Sequence, residues 1–110
     1  MKLSLHRAEQ FNLDFDQQYR WYLKEAGEAV AERFLHAVET TLRLLLQQPE
    51  LGPRKNFKNP VLADIRFFRV ERPFDKILVF YRHSSKQISI ERLMHGSRDL
   101  PRRLTEPPGA

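Results

Sequence analysis

Apolar positions recur along this chain with different periods, and each period predicts a different element. Leu3 and Leu5 alternate with polar residues over 2–7, as in a short strand with one covered face. The spacing then lengthens. Ala8, Phe11, Phe15, Tyr19, Tyr22 and Ala26 fall within one stripe at about 100° per residue, which predicts an amphipathic helix over 8–26. Leu13 and Trp21 fall off the stripe; either they are exposed, or they mark a second covered side against a partner. Gly27 breaks the pattern and fits a helix end. A second helix over 28–48 aligns Val30, Phe34, Ala37, Val38, Thr41, Leu42 and Leu45, and Leu35 and Leu46 widen that face. Glu28 and Glu32 complement the dipole at its start, and Pro49 stops it. Helices joined this tightly predict an antiparallel hairpin.

Residues 49–60 form a loop with three prolines and with Arg54, Lys55 and Lys58; it is either a basic binding loop or a connection. Three strands follow, over 62–71, 76–83 and 87–93, with turns at Pro73-Phe74-Asp75 and Ser84-Ser85. The run 77–81 is continuously apolar, as expected of a strand covered on both faces. In the last strand Ile88 and Ile90 point one way, Gln87, Ser89 and Glu91 the other. The helices are the segments available to cover the sheet, and the tail after Leu100 is expected to be extended and frayed. The fold class is therefore α+β: an N-terminal strand, a helical hairpin, then a three-stranded antiparallel meander forming one small sheet. A single domain over 1–104 and a flexible C-terminal tail over 105–110 are expected.

Charge changes the picture more than composition does. The formal net charge is +5, unevenly placed: residues 1–53 hold six cationic side chains against eight carboxylates, the remainder thirteen against six. The sheet half thus suggests an anionic partner, with a solvated basic face as the plainer reading. The absence of cysteine excludes disulfides and thiolate chemistry. No apolar run approaches a membrane span or a signal peptide, so a cytoplasmic location is expected.

Few residues carry chemistry. The four glycines are not clustered, which excludes a phosphate-binding glycine loop. No histidine pairs at metal spacing, and the strands lack the carboxylates that two-metal nucleases need, so no metal or cofactor is expected. His95, Ser97 and Asp99 lie too close together on one loop to form a triad. Metal-free RNA cleavage needs a base, an acid and cations for the phosphorane charge. Arg66, Arg82 and Arg92 could supply the cations and His95 the proton transfer. The plainer reading of His95 is a brace where the last strand ends. Tyr81 and Arg82 face opposite ways unless a bulge intervenes. Arg98-Asp99 is either a local ion pair or part of a tail that contacts a large target.

The order of several short motifs resembles the RelE/ParE toxins of type II toxin–antitoxin modules, and the ParE branch in particular. These are Trp21-Tyr22, Ala31-Glu32-Arg33-Phe34, Val38-Glu39-Thr40-Thr41-Leu42, Gln48-Pro49-Glu50-Leu51-Gly52, Val79-Phe80-Tyr81-Arg82 and the run Arg92-Leu93-Met94-His95-Gly96-Ser97-Arg98-Asp99-Leu100. The resemblance covers 5–104. It implies a compact toxin held by a cognate acidic antitoxin whose disordered segment orders on binding, in a toxin–antitoxin hetero-oligomer. ParE-like members poison DNA gyrase and are not known for chemistry of their own. RelE-like members cut messenger RNA on the ribosome, usually with a Tyr or His near the C-terminus. Nothing past His95 is Tyr or His, which favours gyrase as the target and leaves a metal-independent ribonuclease, or a non-toxic binding protein, as alternatives. Target contacts are expected from Arg92, His95, Arg98 and Asp99, then Arg66 and Arg82; antitoxin contacts from Leu13, Trp21, Arg69 and Lys76.

Overall fold

The computed structural model describes residues 3–55, 57–96 and 100–107. Strand β1 (Ser4–Arg7) leads directly into helices α1 (Glu9–Ala26) and α2 (Glu28–Gln47). A 3-10 turn (Pro60–Leu62) precedes β2 (Arg66–Arg69), β3 (Ile77–His83), β4 (Gln87–His95) and a short helix α3 (Leu100–Thr105). The sheet order is β1-β4-β3-β2. The meander β2-β3-β4 is antiparallel, and β1 closes the other edge parallel to β4, with Leu5 opposite Ile88 and Arg7 opposite Ile90.

Gly27 ends α1 and starts α2 in a single residue. Its φ of 94° and ψ of 168° lie in a region that only glycine occupies without strain, and its amide caps α1 on the Tyr22 carbonyl. The hairpin packs on one sheet face, called inner here. Phe11, Phe34, Val38, Leu42 and Leu45 meet Val79, Tyr81, Ile88, Ile90 and Leu93, all buried. Aromatic rings fill the seam: Phe15 stacks on Phe34 at 5.5 Å, and Phe74 from the β2–β3 turn meets Tyr22 and Phe34, each at 5.3 Å.

The outer face departs from expectation. It carries its own core, in which Leu78, Phe80 and Met94 are covered by Leu62, Ile65, Leu100 and Leu104. The start of the expected 62–71 strand is instead the end of the 3-10 turn and a further turn at Ala63-Asp64, and pairing begins at Arg66. The tail expected to fray is helical, with Leu100 and Leu104 buried. Pro101 and the paired arginines gave no helical stripe, and six residues are too few for a helix to hold itself. Tertiary contact makes α3, not local preference.

Candidate functional site

Asp14 and Arg92 form the most buried charged pair among the described residues. The two carboxylate oxygens of Asp14 accept from Arg92 Nε at 2.7 Å and Nη2 at 3.1 Å, and the two side chains are 7% and 9% exposed. The bond network extends in two directions. β1 has ended beyond Ile90, leaving that edge of β4 open, and Asp14 accepts the Leu93 amide there at 3.0 Å. Nη1 of Arg92 meanwhile donates toward the carbonyls of Arg103, Leu104 and Glu106 at 3.3, 3.1 and 2.7 Å. These carbonyls end α3, so Arg92 caps that helix at its negative pole. One pair thereby fastens α1, β4 and α3 together.

Arg92 was expected to hold a target or a phosphate. In the structure its donors are engaged by Asp14 and the α3 carbonyls, and its head group is buried. Asp14 was missed altogether, although a signal existed. It stands three residues after Phe11 on the covered face of α1, where an unpaired carboxylate is rarely tolerated.

Arg82 is a second fastener. It pairs with Glu91 at 3.0 Å and donates to the carbonyls of Val61 and Ala63, which pins the 3-10 turn over the sheet. Ser89 donates to the other oxygen of Glu91. A bulge lies here, since Phe80 pairs with Arg92 but Tyr81 with Ile90, leaving Glu91 unmatched. The extra residue sits on β4, so it flips the parity of that strand and not of β3. Tyr81 and Arg82 therefore stay on opposite faces.

Arg66 serves a third segment. It donates to the Gly52 carbonyl at 2.7 Å and toward that of Glu50 at 3.3 Å. Beside it the Tyr81 hydroxyl donates to the Pro49 carbonyl and accepts the Gly52 amide, both at 2.8 Å. Burial raises the Tyr81 pKa, partly offset by the Gly52 amide and the Arg66 charge. Gly52 is required by space: a Cβ there would run into the Phe67 carbonyl and the Tyr81 ring and hydroxyl.

His95 is exposed at the end of β4 and pairs with Ile77, five residues along β3 from Arg82. That is about 17 Å at strand rise. The four groups expected for RNA cleavage thus do not converge: Arg66 faces the exit of α2, Arg82 the 3-10 turn, Arg92 the interior, and His95 the far end of the sheet. Among the described residues, no group of three or more His, Asp or Glu could hold a metal. No helix among the described residues is long and apolar enough to cross a membrane. Arg98 and Asp99 lie outside the described residues.

His95 instead shares an open cleft of about 380 Å³ with Gln17, Trp21, Arg103 and the rim of the Asp14–Arg92 pair. Arg103 donates to the His95 carbonyl at 3.3 Å. Trp21 is 54% exposed and Leu13, two turns earlier, 50%. Lys76 borders the same end of the sheet, its carbonyl accepting the Gly96 amide, and Arg69 is tied to the adjacent turn through the Asp75 carbonyl.

A family profile described as the ParE toxin of the type II toxin–antitoxin system parDE matches residues 5–100. The chain belongs to the ParE toxin family. Its fold is similar to that of a protein of the chromosomal ParDE system from P. aeruginosa, with a TM-score of 0.70 and 21% identity, over 87% of this chain and 98% of that one. It is also similar to the YoeB dimer from Staphylococcus aureus (TM-score 0.56, 12% identity, 88% and 100% covered). A third likeness is to the E. coli RelBE toxin–antitoxin complex (TM-score 0.51, 14% identity, 87% and 99% covered). A comparison with curated protein sequences gives no match. The chain is accordingly of a toxin family of type II toxin–antitoxin systems, and its α+β architecture is that of the RelE/ParE toxins.

Proposed function

We propose that this ParE-family toxin inhibits growth by binding DNA gyrase, without cleaving RNA, and that a cognate acidic antitoxin neutralises it. The observation that carries the reading is the dispersal of Arg66, Arg82, Arg92 and His95, three of them used to fasten loops and α3. An acid–base mechanism needs its groups within hydrogen-bond reach of one substrate, and that cluster is missing among the described residues. A binding toxin needs only a surface. The end of β4 at His95 is the proposed target-facing end, with Arg98 and Asp99 as further proposed contacts.

The cleft also supports a route to neutralisation. Leu13 and Trp21 give α1 the apolar anchors that a folding antitoxin segment needs, and Trp21 lines the same cleft as His95. An antitoxin seated on Trp21 would cover the target-facing end. The test is DNA supercoiling by purified gyrase with antitoxin-free toxin. Inhibition is expected, relieved by the antitoxin and weakened by His95→Ala. Undiminished supercoiling at saturating toxin rejects the reading.

A further inference from the structure

A row of exposed cations follows β2 into its turn. The chain before β2 is stitched to this edge: Phe67 donates its amide to the Pro53 carbonyl at 3.2 Å, and Lys55 donates its own to Ile65 at 2.9 Å. Lys55 Nζ is thereby held 5.4 Å from the Phe67 ring centroid, on the outer face. Arg69, two residues beyond Phe67, has the same parity and is steadied by its 3.0 Å bond to the Asp75 carbonyl. Lys76 shares the parity of Leu78, the partner of Arg69, and so lies one step further along that face. Alternate residues of a strand stand about 7 Å apart, so the three cations span about 14 Å.

Arg54 and Lys58 lie within three residues of Lys55 in the chain and Arg72 three beyond Arg69, and all three are exposed. Residues 53–76 hold seven cationic side chains and three carboxylates, Asp64, Glu71 and Asp75. Among the described residues one ion pair forms there, an exposed Arg54–Asp64 contact at 3.8 Å. The charge is thus largely free, unlike that of Arg82 and Arg92. Among the described residues, the row also lacks exposed large apolar side chains. Leu13, Trp21 and Leu23 are exposed on α1, and Leu51 and Val61 elsewhere, whereas Phe57 and Phe67 pack against the outer core.

That absence discriminates between partners. A disordered acidic polypeptide needs apolar burial to offset its ordering, and single-stranded nucleic acid needs exposed aromatic faces for stacking. A stiff strand offering charge alone suits the regularly spaced phosphates of a duplex. We infer that Lys55, Arg69 and Lys76 bind the phosphate backbone of duplex DNA without sequence preference. This departs from the antitoxin role expected for Arg69 and Lys76. It is independent of the gyrase reading, because it concerns DNA held by the toxin alone.

The test is fluorescence anisotropy of a labelled mixed-sequence duplex with the full, antitoxin-free chain, from about 50 to 200 mM salt. Three neutralised phosphates give a slope of log K on log salt near about −2.7, a loss of about 40-fold across that range. Each of Lys55→Ala, Arg69→Ala and Lys76→Ala is expected to reduce the slope by about 0.9 while leaving the circular dichroism unchanged, since all three are exposed. Several outcomes overturn the inference: no binding by the wild type at about 50 mM salt, a wild-type slope in the triple variant, or tighter binding of the single strand. A random glutamate–tyrosine copolymer that outbinds the duplex, and loses that advantage in the triple variant, reassigns the row to an acidic polypeptide.

Discussion

The two faces of the sheet are closed by different physics. The inner face is covered by two long helices whose apolar stripes meet it over a contiguous core, and burial of area is enough to hold them. The outer face is covered by a 3-10 turn, a loop and a six-residue helix, none of which would persist alone. Directed bonds hold that cover: Arg82 reaches two carbonyls of the turn region, and Arg92 reaches three at the end of α3. Arg82 and Arg92, which look like phosphate ligands in the sequence, hold a carboxylate and backbone carbonyls on this face. The free charge has moved to the β2 edge.

If this contrast is right, a large truncation on the inner face should be felt by the whole molecule. Phe34→Ala is expected to lower the unfolding free energy by about 3–5 kcal/mol in a urea titration. Leu104→Ala should cost less, about 2 kcal/mol, because α3 can swing away and relieve its own cavity. Amide exchange in α3 should then speed up while the inner strands stay protected. Equal losses in both variants would erase the distinction between the faces.

The buried pair sharpens it. Asp14→Ala leaves Arg92 buried without its counter-ion and is expected to cost about 3–5 kcal/mol. Replacing both partners, Asp14→Leu with Arg92→Met, should recover only part of that, since the unpaired charge is gone but the α3 carbonyls and the Leu93 amide lose their partners. Amide exchange at Leu93 should stay fast in the double variant, because its acceptor is gone.

These distinctions were only half legible in the sequence. The inner face could be read from Phe11, Phe15, Phe34 and Leu42, because a helical stripe and a strand alternation report covered faces directly. The parallel seat of β1 beside β4 could not, since periodicity shows that a face is covered and not which strand lies alongside. The outer cover depends on pairs distant in sequence, Asp14 with Arg92 and Arg82 with Val61, that leave no local pattern. Pro101 and Arg102-Arg103 read as an extended, frayed tail until Arg92 caps the carbonyls of Arg103, Leu104 and Glu106. The placement of the strand arginines was illegible for the same reason: arginine in a strand looks alike whether it awaits a phosphate or already holds a carbonyl.

Smaller effects probe the junction at the exit of α2. Gly52→Ala should cost about 1–3 kcal/mol, because the Phe67 carbonyl is backbone and cannot give way cheaply. Tyr81→Phe removes the hydroxyl that serves Pro49 and Gly52 and should cost about 1 kcal/mol at neutral pH. Because burial raises the Tyr81 pKa, the folded state holds that proton more tightly than the unfolded chain does. The corresponding stabilisation is complete below about pH 10 and is lost as pH rises through the folded value. Tyr22, also raised by burial, contributes in the same direction. Alkaline unfolding curves should therefore be shallower for Tyr81→Phe than for the wild type.

The central proposal is that this toxin acts through its surface, with no acid–base cluster assembled among the described residues. Incubating the purified, antitoxin-free chain with programmed ribosomes, and mapping the ends of the bound message, tests it most directly. Intact message at saturating toxin is the expected result. Cleavage that disappears in Arg82→Ala or His95→Ala would contradict it.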